Sequence, residues 1–173
     1  MGFDCWTAGD WPLAWSLWGD PDVTALLGGP FSEQQVRERL EREIACREAH
    51  GVQYWPLFLL DDGTFAGCAG LRPYRPEEGI LELGYHLRRA CWGRGLAFEA
   101  ARAAVRFGFH ELGAAALFAG HHPANHASRR VLQKLGFQFT HEEPYGPTGA
   151  MHPSYVLKAS ELPGPEPSGA RPL

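Results

Sequence analysis

The residues best suited to chemistry are concentrated between Glu82 and Phe109, which reads ELGYHLRRACWGRGLAFEAARAAVRFGF. A strand pattern over Ile80 to Arg88 gives way to a basic turn and then to Gly93-Arg94-Gly95. A helical repeat of Phe98, Ala101, Val105 and Phe109 follows. The first N–H groups of a helix have no internal partners and lie at the positive end of its macrodipole. Glycines ahead of such a terminus let backbone approach a ligand closely. The stretch therefore predicts an anion site, with Arg88, Arg89 and Arg94 adding charge at the same end. Alternation along the strand sets Glu82, Gly84 and His86 on one face and Leu83, Tyr85 and Leu87 on the other. A nucleotide-binding reading fails, because the glycines lack both the Lys-Ser/Thr of a P-loop and the third Gly of a dinucleotide fingerprint.

A second block is Asn125-His126-Ala127-Ser128 followed by Val131-Leu132-Gln133-Lys134-Leu135-Gly136-Phe137. It predicts an amphipathic helix over 125–135, closed by Gly136. His121, His122 and His126 crowd the turn before it, but Pro123 interrupts them and no metal is expected. Cys91 has no evident base beside it and is read as small buried filler.

These blocks need elements to hold them. Asp10 and Asp20 stand where N-caps belong, with Pro12 and Pro21 in the first turns. Ser32 and Gln35 match a capping box opening a helix to about Ala49, with Val36, Leu40 and Ile44 on its apolar face. Tyr54 to Leu60 reads as a strand ended by Asp61-Asp62-Gly63, and Thr64 to Leu71 as its return. Strands are also expected at Ala114 to Gly120, Phe137 to His141 and Met151 to Leu157, the last two joined by a loop at 144–149. Trp6, Trp11, Trp15 and Trp18 crowd the N-terminal region as core, with one or two available to line a pocket. The sum is an α/β (α+β) layered fold in one domain over 1–160, with a Pro- and Gly-rich disordered tail over 161–173.

Composition sets the bounds. A chain of 173 residues, 45% hydrophobic and 21% charged, can bury an adequate core without staples. A net charge of −4 argues against nucleic acid as partner. No apolar run reaches a membrane span, and the N-terminus lacks a basic region followed by an apolar core. Four cysteines without a C-x-x-C pair fit reduced thiols, so a cytoplasmic location is expected.

The two blocks together resemble the GCN5-related N-acetyltransferase (GNAT) superfamily, most closely its ribosomal-protein N-terminal acetyltransferases. The carriers are Gly84-Tyr85, then Trp92-Gly93-Arg94-Gly95-Leu96-Ala97, then Asn125-x-x-Ser128 leading to the complete VLQKLGF run. Gly28-Gly29-Pro30-Phe31-Ser32 and Gly67-Cys68-Ala69-Gly70-Leu71 also fit, so the likeness covers about residues 3–158. Where the family's looser pattern has Gln or Arg, this chain has Ala90, and only about Gly2 to Trp6 remain of the usual first strand.

The resemblance implies a mixed, twisted sheet flanked by helices, with acetyl-CoA as co-substrate in the splay between the strands at 80–88 and 114–120. The pyrophosphate would rest on Gly93, Arg94, Gly95, Leu96, Ala97 and Phe98. The pantetheine would run beside Tyr85, Leu87 and Arg88, with Asn125 and Ser128 near the thiol end. The implied reaction is acetyl transfer to a primary amine, on a protein N-terminus or a small molecule, by a monomer or homodimer. Such a reaction needs a proton acceptor, for which Glu82 is the candidate, and a donor to the leaving thiolate, for which Ser128 is. At pH 7 deprotonating an α-amine costs about 1–1.4 kcal/mol and a lysine about 4.6 kcal/mol, which favours the less basic amine. The competing expectation is a non-catalytic acyl-CoA-binding sensor that kept the phosphate cradle.

Overall fold

The computed structural model describes residues 1–161. The tail expected beyond them lies outside the described residues. Seven strands form a single sheet in the order β1-β2-β3-β4-β5-β7-β6. They are β1 (Gly2–Phe3), β2 (Tyr54–Phe58), β3 (Phe65–Arg75), β4 (Ile80–Leu87), β5 (Ala116–Gly120), β6 (Gln138–Tyr145) and β7 (Ala150–Lys158). All neighbours are antiparallel except β4 and β5. The first strand is even shorter than expected, two residues against about five. β3 runs four residues past Leu71, and β6 runs to Tyr145, so the last hairpin loop is confined to 146–149.

Helices cover both faces. On one lie α1 (Trp11–Trp18), α2 (Pro21–Thr24) and α3 (Glu33–His50). Ser32 and Gln35 do form the capping box of α3: Ser32 Oγ accepts from the Gln35 N–H, and Gln35 Oε1 accepts from the Ser32 N–H. Asp20 caps α2 through the Asp22 N–H. Asp10 makes no side-chain cap to α1; its carboxylate accepts from the Thr7 N–H instead. Trp6, Trp18, Leu17, Val36 and Leu40 pack here against Tyr54, Phe65 and Cys68 of the sheet.

The other face carries α4 (Leu96–His110) and α5 (His126–Leu135). Ala101, Ala104, Val105 and Phe109 of α4 join Leu71, Leu83, Leu117 and Leu132 in the main core. Burial follows the expected alternation on β4. Leu83 and Leu87 are buried toward α4, while His86 faces Trp18 and Tyr54 on the opposite side.

One interruption matters for function. β4 pairs with β5 only from Ile80↔Ala116 to Glu82↔Phe118, although β4 continues five residues further. The strands part after Glu82, opening the sheet in its middle.

Candidate active site

The opening leads into a cleft of about 870 Å³ that connects the two faces of the sheet. Its edge is the unpaired length of β4. The Arg88 N–H donates to the Ala66 carbonyl, which fixes the register so that even-numbered residues of β4 bond β3. Tyr85 and Leu87 therefore turn their backbone groups toward the gap, where an extended chain can pair with them. The Leu87 carbonyl is already held by Trp92 Nε1 at 2.8 Å, leaving its N–H for a ligand.

On the α4 face, the start of that helix borders the same cleft. Gly93, Gly95, Leu96, Ala97 and Phe98 all line it. Gly95 occupies the N-cap with φ +78, and Gly93 has φ +73, conformations that residues with a Cβ rarely adopt. A Cβ on either glycine would point into open space. The cradle therefore fits the diphosphate of a CoA ester: free helix N–H groups, a positive dipole end and no side chain in the way. Across the gap, α5 contributes Arg130 and Lys134 to the lining, cations that the sequence reading did not select. Their spacing of four on one helix was the signal available.

Asn125 and Ser128 also reach the cleft. Asn125 is the N-cap of α5, its Oδ1 accepting from the Ser128 N–H at 3.0 Å. Ser128 Oγ lies 2.8 Å from Tyr85 Oη, joining α5 to β4 through two hydroxyls. Burial raises the Tyr85 phenol above its ordinary range, with the Ser128 hydroxyl opposing. Tyr85 thus stays a neutral O–H, and the pair can pass a proton to an anion formed beside it.

On the opposite face stands Glu82, half-buried at the last position of β4 that pairs with β5. Burial pushes its carboxyl up, against the pull of Arg72, Arg39 and the Tyr54 hydroxyl. A carboxylate made more basic in this way is suited to accepting a proton from an amine. Gly84 beside it is required by packing, since a Cβ there would collide with the Tyr54 ring. Behind them Glu43 is fully buried, bridging Arg72 with one oxygen and the Tyr54 N–H with the other at 2.9 Å. His86 is driven well below its ordinary value of 6.5 by burial and then by Arg39 and Arg72. It accepts from Trp18 Nε1 at 3.4 Å and serves as a packed, neutral support.

His121 was considered only as a metal ligand. Its ring stacks on Tyr155, and its Nδ1 lies 2.8 Å from the His122 carbonyl, which makes Nδ1 the donor. Nε2 is then an acceptor, buried and without a partner, on a residue that lines the cleft. Burial lowers its pKa despite that bond, keeping the imidazole neutral. No group of three metal-ligating residues occurs among the described residues.

Some expected site residues are placed elsewhere. Arg88 and Arg89 border a separate shallow depression with Asp20 and Ala90. Arg88 Nη1 donates to the Phe65 carbonyl at 3.3 Å, and Arg89 pairs with Asp22. Strand alternation turns the Arg88 side chain to the face opposite α4, with Glu82 and His86, and there its bond to the Phe65 carbonyl holds it away from the cleft that those two line. Arg94 is exposed and does not line the cleft, as its two glycine neighbours do. None of Trp6, Trp11, Trp15 and Trp18 lines it either; Trp6 and Trp18 are core, and Trp92 is the tryptophan on the cleft wall. Cys91 is buried at its edge, packed with Leu87 and Ala100.

Comparison with known proteins gives the family and the fold. The acetyltransferase (GNAT) domain family matches residues 2–138. The uncharacterized protein YkkB of Bacillus subtilis is 34% identical over 125 residues, spanning 72% of this chain and 73% of that one. A GNAT-family acetyltransferase structure from Bacillus anthracis superposes with a TM-score of 0.79 at 22% identity, over 92% of this chain and 95% of that one. RimL, a ribosomal L7/L12 α-N-protein acetyltransferase solved with coenzyme A, shares the fold at a TM-score of 0.78 and 14% identity, over 92% and 94% of the chains. With a family match running from the first strand to the start of β6, the chain belongs to the GNAT acetyltransferases, enzymes that transfer acyl groups from acetyl-CoA.

Proposed function

We propose that this chain acetylates a primary amine by direct attack on acetyl-CoA within a ternary complex. One observation carries the reading: the sheet opens after Glu82, so that a backbone anion cradle on one face and a basic carboxylate on the other share a single cleft. The thioester supplies an activated acetyl carbon. The chain's residues do the rest. Free N–H groups at the start of α4 hold the diphosphate, and the Tyr85 and Leu87 backbone orients the arm that leads to the thioester. Glu82 takes the proton of the attacking amine from the α1–α3 face. A backbone N–H on the open edge of β4 stabilises the oxygen that becomes negative. The Tyr85–Ser128 hydroxyl pair returns a proton to the departing sulfur. His121 offers a second proton acceptor, favoured by its buried and unpartnered Nε2.

The experiment is thiol release from acetyl-CoA across a panel of primary amines, with product mass as confirmation. Amine-dependent release with an acetylated product is expected. Tight acetyl-CoA binding with no amine-dependent release by any member would favour the sensor reading.

A further inference from the structure

The cleft on the α1–α3 face contains a cation that forms no ion pair among the described residues. Arg39 and Arg42 of α3 both line it, beside Arg72 of β3. Arg72 pairs with Glu43 through one terminal guanidinium nitrogen while its Nε also lacks a partner, and both Glu43 oxygens are committed, to Arg72 and to the Tyr54 N–H. Arg39 makes no hydrogen bond or ion pair among the described residues, and its Nε is buried without a partner. Its guanidinium rests 5.0 Å from the centroid of the Trp18 ring. A guanidinium cannot shed its charge, so a half-buried one with no ion-pair partner can still receive an anion. The remaining carboxylate nearby, Glu82, feels the charge of Arg39 without pairing with it and is the proposed base.

A second feature limits size. The segment after α2 and the loop between β6 and β7 meet across the cleft, with Gly28 packed so tightly on Pro147 that a Cβ would collide. Leu26 and Leu27 from one side and Tyr145 from the other line the space beneath. This closure fits a compact acceptor rather than the surface of a folded protein.

Resting on the amine-acetylation reading above, we infer that the acceptor is a small aminocarboxylate, its carboxylate held by Arg39 with Arg42 while its amine faces Glu82. The arrangement matches a zwitterion: a cationic wall for the anion and a carboxylate for the ammonium. A guanidinium also offers parallel N–H donors in the geometry that a carboxylate accepts.

The test compares kcat/KM for amino acids, their carboxamides, amines lacking any carboxylate, phosphoethanolamine and acidic-residue peptides, with wild type, Arg39→Met and Arg39→Lys. Charged hydrogen bonds of this kind correspond to about 10- to 100-fold in the ratio of acid to carboxamide. Arg39→Met should collapse that ratio mainly through KM for the acid, while turnover of the carboxamide persists. Arg39→Lys should recover part of it. Carboxamides or simple amines used as well as the acids overturn the inference and leave amine acetylation standing. The same holds if phosphoethanolamine or peptides are preferred, or if Arg39→Met slows all acceptors equally. No acetylated product from any acceptor overturns both.

Discussion

The two ends of the cleft are built by different means. The proposed cofactor end uses backbone: the turn at Gly93 and Gly95, the first N–H groups of α4, and the free edge of β4, all within residues 83–98. The proposed acceptor end uses side chains from α3, β3, β4, the turn after β5 and the β6–β7 hairpin, including Arg39, Arg72, Glu82, His121 and Tyr145. Backbone donors recur in any chain that makes the turn, whereas a side-chain wall changes with each substitution. The first end is therefore suited to a constant ligand and the second to a variable one.

The largest effect expected from breaking this division is at Glu82. Glu82→Gln should leave acetyl-CoA binding intact and slow turnover by about 10²–10⁴ at pH 7, the usual worth of general base catalysis. The loss should shrink at high pH, where solvent deprotonates the amine. A variant within threefold of wild type at pH 7, paired with a His121→Gln variant that is slow, would move the base role to His121.

Next comes the support beneath the acceptor wall. Glu43→Ala leaves Arg72 without its counter-charge and should cost about 3–5 kcal/mol in urea unfolding. The folded fraction should bind acetyl-CoA with unchanged affinity, since no contact of Glu43 reaches α4. Parallel losses of stability and cofactor affinity would show that the two ends are coupled.

The converse substitution addresses the cradle. Gly95→Asp puts a carboxylate where the diphosphate is expected and a Cβ at φ +78. Calorimetry should show CoA binding weakened about tenfold or more, and the rise in melting temperature with acetyl-CoA should vanish. Unchanged affinity would move the diphosphate elsewhere.

A smaller effect comes from pH. His86 is held neutral by burial and by Arg39 and Arg72, and His121 and His152 are lowered by burial too. Above pH 6.5 these imidazoles are neutral in both folded and unfolded chains, so they contribute no slope. Below it the unfolded chain takes up protons that the native state refuses, and stability falls by up to about 1.4 kcal/mol per pH unit for His86, with His121 and His152 adding in the same direction. His86→Gln keeps an acceptor for Trp18 Nε1 and should flatten the decline between pH 6.5 and 5. Parallel curves for variant and wild type would show that His86 titrates normally.

Local signals in the sequence carried the element order, because caps, turns and apolar periods are short-range. Ser32 with Gln35, the helix running from Gly95 to the Phe109 turn and the Gly136 closure of α5 all stand where they were expected. Gly93, Gly95, Asn125 and Ser128 line one cleft. Arg88 and Arg94 show the limit, as closeness in sequence to the cradle did not bring their side chains to the cleft. Strand alternation sent one to the far face, and the other is exposed.

The sequence by itself thus determined the backbone of the proposed anion-binding end, because that end is a strand, a turn and a helix start in direct succession. Only the tertiary structure decided the acceptor end. Arg39 and Glu82 are forty-three positions apart, and Gly28 and Pro147 more than a hundred. What those residues do depends on which carboxylate each arginine finds and on where the sheet opens. Those outcomes are set by long-range packing, which no local pattern encodes.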